Sequence, residues 1–404
     1  MIYLVTEQAQ LFSSTRFKTI SVADSKAIIA KMKIRGLDTE TTGLDPHLKE
    51  LLSVQIGNRD DQIVIDCTTI PIEAYKEILE EPTLYILANA KFDIQFFFKH
   101  NIILKNVWDV MLAEQVLNLG YPKGMFHADL KTLEAKYLHK DMDKSVRGKI
   151  TKVGLTEEVI VYAANDVVDL EDLMNEQKKA LDKEDLVTAV RLENRFVLPL
   201  AYMEWCGMKL DVDRWKAKMA KDKAKVDKAK KELEDFIIKG SDSNPLFKQF
   251  ITINRQGDLF SGFDLSPKVT INWNSSKQVI SFFKLLGICT KDKDNKDSID
   301  SKILKPQVNQ FPILKEYLKY KEAFKQHSTY GQNFLDQLDS NNRIHTKFHQ
   351  LGTDTARISS GGKDKKAKKE YINFLNLPAD YETRACFIAE KGNKWLSIDY
   401  SGKN

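Results

Sequence analysis

Between residues 34 and 67 the chain lays down three short runs rich in β-branched and apolar residues, IRGLDTE (34–40), LLSVQIG (51–57) and QIVIDC (62–67), with polar segments between them. Runs of this kind separated by a few turn residues predict neighbouring strands, and a three-stranded meander is the simplest arrangement. TLYILAN (83–89) predicts a fourth strand, and apolar stretches over 92–99 and 107–117 predict helices. The front of the chain is therefore mixed α/β. No internal repeat is visible.

From about Leu186 the pattern changes to long helical segments, among them RWKAKMAKDKAKVDKAKKELEDF (214–236), whose good helix formers outweigh a sparse apolar stripe. Polar stretches at 239–246, 253–268 and 291–300 read as loops, and from Arg343 short strands and loops return. A chain of 404 residues is long enough for two or three domains. With 42% hydrophobic and 29% charged residues, the composition indicates neither wholesale disorder nor a membrane protein. The start, MIYLVTEQAQLF, lacks the basic region and apolar run of a secretory signal. Four cysteines, Cys67, Cys206, Cys289 and Cys386, lie far apart without CxxC spacing, which fits a reducing compartment and argues against structural zinc. A net charge of +5 permits an anionic partner without requiring one.

Asp38 and Glu40 stand two apart on a predicted strand, so their side chains share one face. Two carboxylates crowded together repel unless a divalent cation lies between them, and such hard oxygen ligands suit magnesium or manganese. An isolated pair of this kind is more often a solvated strand end. Asp93, in NAKFD (89–93), opens a helix beside the apolar run FDIQFFF. On its own it reads as an acid favoured by the helix dipole. Tyr162 and Asp166, four apart in VYAANDVVDL (161–170), fall on one face of a helix that Thr156 caps, with Glu157 and Glu158 in its first turn.

In order, DTE, NAKFD and YAAND resemble the three exonuclease motifs of the DEDD superfamily, in the branch whose third motif carries tyrosine. Trp108-Asp109 before an apolar helix and Leu130-Lys131-Thr132-Leu133 resemble the same family. The resemblance covers roughly residues 1–180 and implies an RNase H-like fold with a mixed five-stranded sheet. It also implies two-metal 3′-5′ exonuclease chemistry with two Mg2+ (or Mn2+) ions. By this resemblance Asp38 bridges both ions, Glu40 and Asp166 complete the water-activating ion, Asp93 holds the second, and Tyr162 orients the attacking water. Thr41, Leu44, Asn89 and Phe92 become candidate contacts to the terminal nucleotide.

The segment HQLGTDTARISS (349–360) gathers hydroxyls and one arginine in a loop, a grouping suited to phosphate. It resembles the T-x-T-G-R-x-S-S motif of family A DNA polymerases, with Ala356 where glycine is usual. Asn373 to Pro378 is similar to the N-x-Q-N-x-P segment, with Leu375 in place of glutamine, and Arg384 to Phe387 is similar to R-x-x-F. Leu396-Ser397-Ile398-Asp399-Tyr400-Ser401 looks like the start of polymerase motif A, while 271–288 and 318–338 resemble thumb helices. The family implies nucleic-acid contacts by Thr353, Arg357, Ser359, Ser360, Asn373 and Asn376, and on the thumb by Lys321 and Lys325. The expected layout is an exonuclease domain over 1–184, a mainly helical thumb-like region over 185–342 and an incomplete α+β palm over 343–404. The run of eight lysines with Arg214 over 214–231 is a further phosphate candidate, and equally a solvated helix face. The lysines of GGKDKKAKKE (361–370), beside the 349–360 loop, have a better claim to phosphate, although a flexible basic insertion describes them as well.

After Ser401 the chain reads Gly-Lys-Asn, whereas the family continues through motif A, and no 5′-nuclease precedes the first motif. Asp399 by itself does not support polymerisation. The expected activity is proofreading hydrolysis of DNA 3′ ends in DNA replication, in a cytoplasmic protein of a bacterium or phage-infected cell, with single-stranded 3′ ends and primer-template as partners and no membrane. A half-polymerase completed by a second chain and a non-catalytic DNA-binding fragment are the alternatives. Intact acids in all three motifs count against the last.

Overall fold

The computed structural model of the chain describes residues 1–12, 14–121, 129–140, 154–253, 266–364 and 369–398. Two compact units emerge: Met1–Gly207 with His345–Leu377, and Met208–Ile344 with the chain from Pro378 onward. Residues 185–207 and 345–377 thus pack with the front of the chain. Among the described residues no helix is long and apolar enough to cross a membrane.

The first unit is built on a seven-stranded sheet of β1 (Ile2–Val5), β2 (Lys18–Thr19), β3 (Ile34–Thr41), β4 (Leu51–Gly57), β5 (Gln62–Asp66), β6 (Leu84–Leu87) and β7 (Val107–Asp109). Their order is β2-β1-β5-β4-β3-β6-β7. β3, β4 and β5 form the expected antiparallel meander, and β6 and β7 extend it in parallel. These five make the expected mixed sheet. Two strands join its β5 edge in parallel, because Ile2–Val5 has apolar side chains to pair against Gln62–Ile65. The apolar stretch at 107–117 divides: Val107–Asp109 is a strand, and the helix begins only at Val110.

Both faces of the sheet are covered. Leu37, Val54, Ile56, Ile63, Ile65, Tyr85 and Leu87 pack on one side with Ile94 and Phe97 of the Ala90–Lys99 helix. Ile86 and Trp108 pack on the other with Val167, Leu170, Leu173 and Met174. The alternation of Tyr85, Ile86 and Leu87 between the two clusters is the period-two pleat of a strand with two buried faces.

The second unit is mainly helical. Val212–Gly240, capped by Asp211, runs for 29 residues and buries Val226, Ala229, Leu233 and Ile237 against Leu314, Tyr317 and Tyr320 of Ile313–Thr329. Ser276–Leu285, capped by Ser275, adds Val279, Phe282 and Phe283. The lysine run is largely occupied: Lys218, Lys221, Lys223, Lys225 and Lys230 each lie within 3.7 Å of a carboxylate, on Asp222, Asp227, Glu234 or Glu382. That arrangement is an ion-paired face, with the Lys218–Asp222 pair buried and the other lysines exposed, not a free cationic stripe. Gly362–Asp364 and Lys369–Tyr371, at the two ends of the basic 361–370 segment, pair as an antiparallel ribbon, and residues 365–368 between them lie outside the described residues. All four cysteines are free.

Candidate active site

The site starts from the pleat of β3. Leu37, Thr39 and Thr41 turn into packed surroundings, while Asp38 and Glu40 on the opposite side stay partly open. The third acid arrives from the Glu157–Asn165 helix, which Thr156 caps through Val159 N–H, with Glu157 and Glu158 in the first turn. Asp166 follows that helix with its backbone still helical, at φ −63° and ψ −16°, so it keeps the face of Tyr162. Carboxylate oxygens of Asp38, Glu40 and Asp166 come within 4.8 Å of one another.

Two glycines make this approach possible. Gly36 and Gly57 face each other across β3 and β4. A Cβ on Gly36 would stand 2.6 Å from the Val167 carbonyl oxygen, and one on Gly57 would stand 3.0 Å from a Val167 methyl. Val167 therefore seats on bare backbone, and its neighbour Asp166 is held against β3 beside Asp38.

Asp93 stands in the first turn of Ala90–Lys99, only 2% exposed. The Thr39 hydroxyl donates to its Oδ1 at 2.5 Å. Burial, and next the charge of Asp38, hold its carboxyl well above the usual carboxylate range. Asp93 is outside the three-oxygen cluster yet lines the same cavity of about 180 Å³. That cavity is walled by Asp38, Glu40, Asp93, Asp129 and Asp166, with Tyr162, Asn89 and Phe92, and by no lysine or arginine among the described residues. Carboxylates converging without a cationic side chain fit hard divalent cations, and the donor set is oxygen only.

The remaining candidates separate. Asn89, in the left-handed conformation at φ 72°, and Phe92 line the cavity. Thr41 is buried and donates to the Gly43 carbonyl at 2.8 Å, and Leu44 is exposed; neither is on the cavity wall. Sequence reasoning did not single out Thr39, Met111 or Asp129 as wall residues, nor Gly36 and Gly57. Asp129 caps the Leu130–Leu138 helix through Thr132 N–H, and a cap-type residue before LKTL was the signal available for it.

In the 345–377 segment Ser360 Oγ donates to Asn373 Oδ1 at 3.0 Å, and the same oxygen accepts Asn376 N–H at 3.2 Å. These three come together, with Ser359 beside Ser360 on the same short strand, Ser359–Ser360. Thr353 Oγ1 accepts Arg357 N–H at 2.9 Å and closes the turn that exposes Arg357. Lys321 is half-buried and donates to the Ile299 carbonyl, burial holding its amine below the usual range, whereas Lys325 one turn on is exposed. Asp399, Tyr400 and Ser401 lie outside the described residues.

Ala356 sits at φ 59°, the backbone region that a Cβ disfavours. Ala356→Gly is expected to stabilise the first unit by about 1 kcal/mol, less the greater chain entropy of glycine when unfolded. A thermal denaturation midpoint rising by roughly 2–4 °C would show it, and an unchanged or lower one would contradict the strain.

The sheet, the converging acids and the tyrosine one turn away define an α/β domain with an acid-lined candidate site. The 3′-5′ exonuclease family model matches residues 19–182, and the DNA polymerase family A model matches residues 263–403. The chain is family A polymerase-like, with a 3′-5′ exonuclease domain at its front. DNA polymerase I of Aquifex aeolicus is 27% identical over 385 residues, covering 90% of this chain and 57% of that protein. The DNA polymerase of Mycobacterium phage L5 is 25% identical over 416 residues, covering 93% and 61%. Among solved structures, the POL domain of Pol1 from M. smegmatis in complex with DNA primer-template and dNTP shares the fold. The TM-score is 0.66 at 20% identity, over 92% of this chain and 58% of that one. The chain spans about half the length of the curated relatives it matches.

Proposed function

We propose that this chain is a two-metal 3′-5′ exonuclease that removes terminal nucleotides from DNA, proofreading as the front part of a family A polymerase in DNA replication. The observation that carries this reading is the convergence of Asp38, Glu40 and Asp166 to within 4.8 Å, with Asp93 and Tyr162 on the same cavity wall. Asp38, Glu40, Asp93 and Asp166 would hold Mg2+ (or Mn2+), which would supply Lewis-acid activation of water and stabilisation of the departing oxygen. The chain's own part is positional. Asp38 and Glu40 are fixed by the pleat of β3, Asp166 by the glycine seat under Val167, and Asp93 by burial and Thr39. Tyr162 orients the attacking water. Attack on the terminal phosphodiester breaks the P–O3′ bond and releases a nucleoside 5′-monophosphate, leaving a 3′-hydroxyl. Asn89 and Phe92 hold the terminal nucleotide at the cavity mouth. A wall of carboxylates repels a phosphate, so activity is strictly dependent on divalent cation.

In this reading 1–184 is the exonuclease division, 185–342 the thumb and 343–404 the palm. Single-stranded 3′ ends enter the acid cavity, while Arg357, Ser359, Ser360, Thr353, Asn373 and Asn376 meet primer-template backbone, with Lys321 and Lys325 on the thumb. The protein works in the cytoplasm of a bacterial or phage-infected cell. A second reading, half of a polymerase completed by another chain, is favoured by Trp395, Leu396 and Ile398, which are 60%, 79% and 76% exposed.

Incubation with Mg2+ and 5′-labelled single-stranded DNA, beside the Asp38→Ala, Glu40→Ala double variant, tests the proposal. Stepwise shortening from the 3′ end by the parent, abolished in the variant, is expected. No shortening by the parent would sink the autonomous exonuclease.

A further inference from the structure

The Ala90–Lys99 helix, which carries Asp93, lacks the usual N-terminal cap. Its cap residue, Asn89, is in the left-handed conformation and makes no side-chain cap hydrogen bond. The free N–H groups at a helix start need an acceptor when they are buried. Here the acceptor comes from the neighbouring strand. Asp109, at the end of β7, is 6% exposed. Its Oδ2 accepts Ala90 N–H at 2.8 Å and its Oδ1 accepts Asn89 N–H at 3.2 Å. The same Oδ1 accepts Met111 N–H at 2.9 Å and Leu112 N–H at 3.2 Å, capping Asp109's own helix, Val110–Leu117. One carboxylate thus closes two helix N-termini, each with the positive end of its dipole turned to it.

The carboxylate is itself held in place. Asp109 N–H donates to Asn194 Oδ1 at 2.6 Å, and Asn194 Nδ2 donates to the Val190 carbonyl at 2.9 Å, within a side chain only 4% exposed. What Asp109 fixes is the wall of the acid cavity: Asn89 directly, Phe92 and Asp93 within the turn it starts, and Met111 on the second helix.

We propose that Asp109 is a positioning residue of the exonuclease site, capping the Ala90–Lys99 helix from across the sheet and thereby setting where Asp93 stands relative to Asp38. It touches neither substrate nor cation. The proposal rests on the exonuclease reading, since Asp93 matters only if the cavity holds cations. Asp109→Asn keeps the shape of the side chain but replaces one acceptor oxygen with an NH2 facing N–H donors. The helix start then shifts, and Asp93 is displaced relative to Asp38, with which it would hold the cations.

The test is calorimetric titration of the full chain with Mn2+, at a temperature where circular dichroism shows every variant folded. The variants are Asp109→Asn, Asp38→Ala and a control, Asp66→Asn. Asp66 is a comparably buried acceptor, taking hydrogen bonds from Thr6, Thr68 and Thr69, and it is not on the cavity wall. The expected result is Mn2+ binding weakened about tenfold or more in Asp109→Asn and unchanged in Asp66→Asn, although both lower the melting temperature. Parental Mn2+ affinity in Asp109→Asn overturns the positioning role and leaves Asp109 a cap for stability alone. If Asp109→Asn does not fold, Asn194→Ala, which removes the acceptor for Asp109 N–H, takes its place: several-fold weaker binding supports the role and parental binding overturns it. Uptake of Mn2+ by the parent that Asp38→Ala does not reduce sinks the two-metal reading, and the positioning role with it. Normal uptake by the parent and by Asp109→Asn alike removes only the latter.

Discussion

Asp93→Asn is expected to lower exonuclease turnover by about three orders of magnitude while making the metal-free protein more stable than its parent. The two effects have one origin. In the proposed role Asp93 is a cation ligand, and a bound cation is worth several kcal/mol of charge stabilisation to such a reaction; roughly 4 kcal/mol corresponds to a thousandfold in rate. In the absence of cations the same carboxylate is a burden. Burial first, and the charge of Asp38 second, raise its pKa in the folded chain above the unfolded value. The folded state therefore binds that proton more tightly than the unfolded state. The resulting stabilisation is present at low pH and is lost as pH climbs from the ordinary carboxylate range, about 4, through the raised folded value. Asparagine has no such titration, so in EDTA the stability gap should open with rising pH and favour the variant. Thermal melts across that range, with and without Mn2+, read it directly. Parental turnover in the variant would remove Asp93 from the proposed cation site, and a gap that does not move with pH would contradict the raised carboxyl pKa.

Trp215→Ala is expected to cost the second unit about 3–5 kcal/mol, the range for truncating a buried large aromatic. Trp215 is fully buried, stacks on Phe334 with ring centroids 4.5 Å apart and meets Phe387 edge-on at 6.1 Å. Its Nε1–H donates to the Gly331 carbonyl at 3.1 Å. The Lys218 ammonium lies 5.0 Å from its ring and is itself paired with Asp222 at 2.6 Å. Losing the indole strips a buried ammonium of one partner as well as opening a cavity. Trp215→Phe retains much of the packing and should cost distinctly less. Denaturant melts of the two variants separate these contributions, and equal losses would show that the hydrogen bond, not the packing, carries the site.

The placement of several candidate-site residues was legible before any fold was known, because each rests on a local rule. Spacing of two on a strand put Asp38 and Glu40 on one face. The Thr156 cap and spacing of four put Tyr162 and Asp166 on one side of a helix, and the structure keeps both arrangements. The meander and the fourth strand followed from β-branched runs bounded by polar turns. Less visible were Ile2–Val5 and Val107–Asp109, strands of only four and three residues. Too short to show a period, they are strands because a neighbouring edge offers them hydrogen bonds. The lysine run shows the opposite case. Composition allowed a phosphate-binding stripe, and the carboxylates that neutralise it come partly from Glu382, more than 150 positions away.

Residue identity and short-range periodicity settled which acids stand together on a strand or a helix, since those spacings follow from backbone geometry alone. Tertiary packing decided that the three carriers meet. Val167 can rest on the backbone of β3 and β4 only because Gly36 and Gly57 have no Cβ, and Asp93 holds its place because Asp109, from another strand, closes the start of its helix. Nothing in the local sequence around Asp93 or Asp166 encodes these contacts, because each joins residues tens of positions apart whose proximity exists only once the sheet has formed.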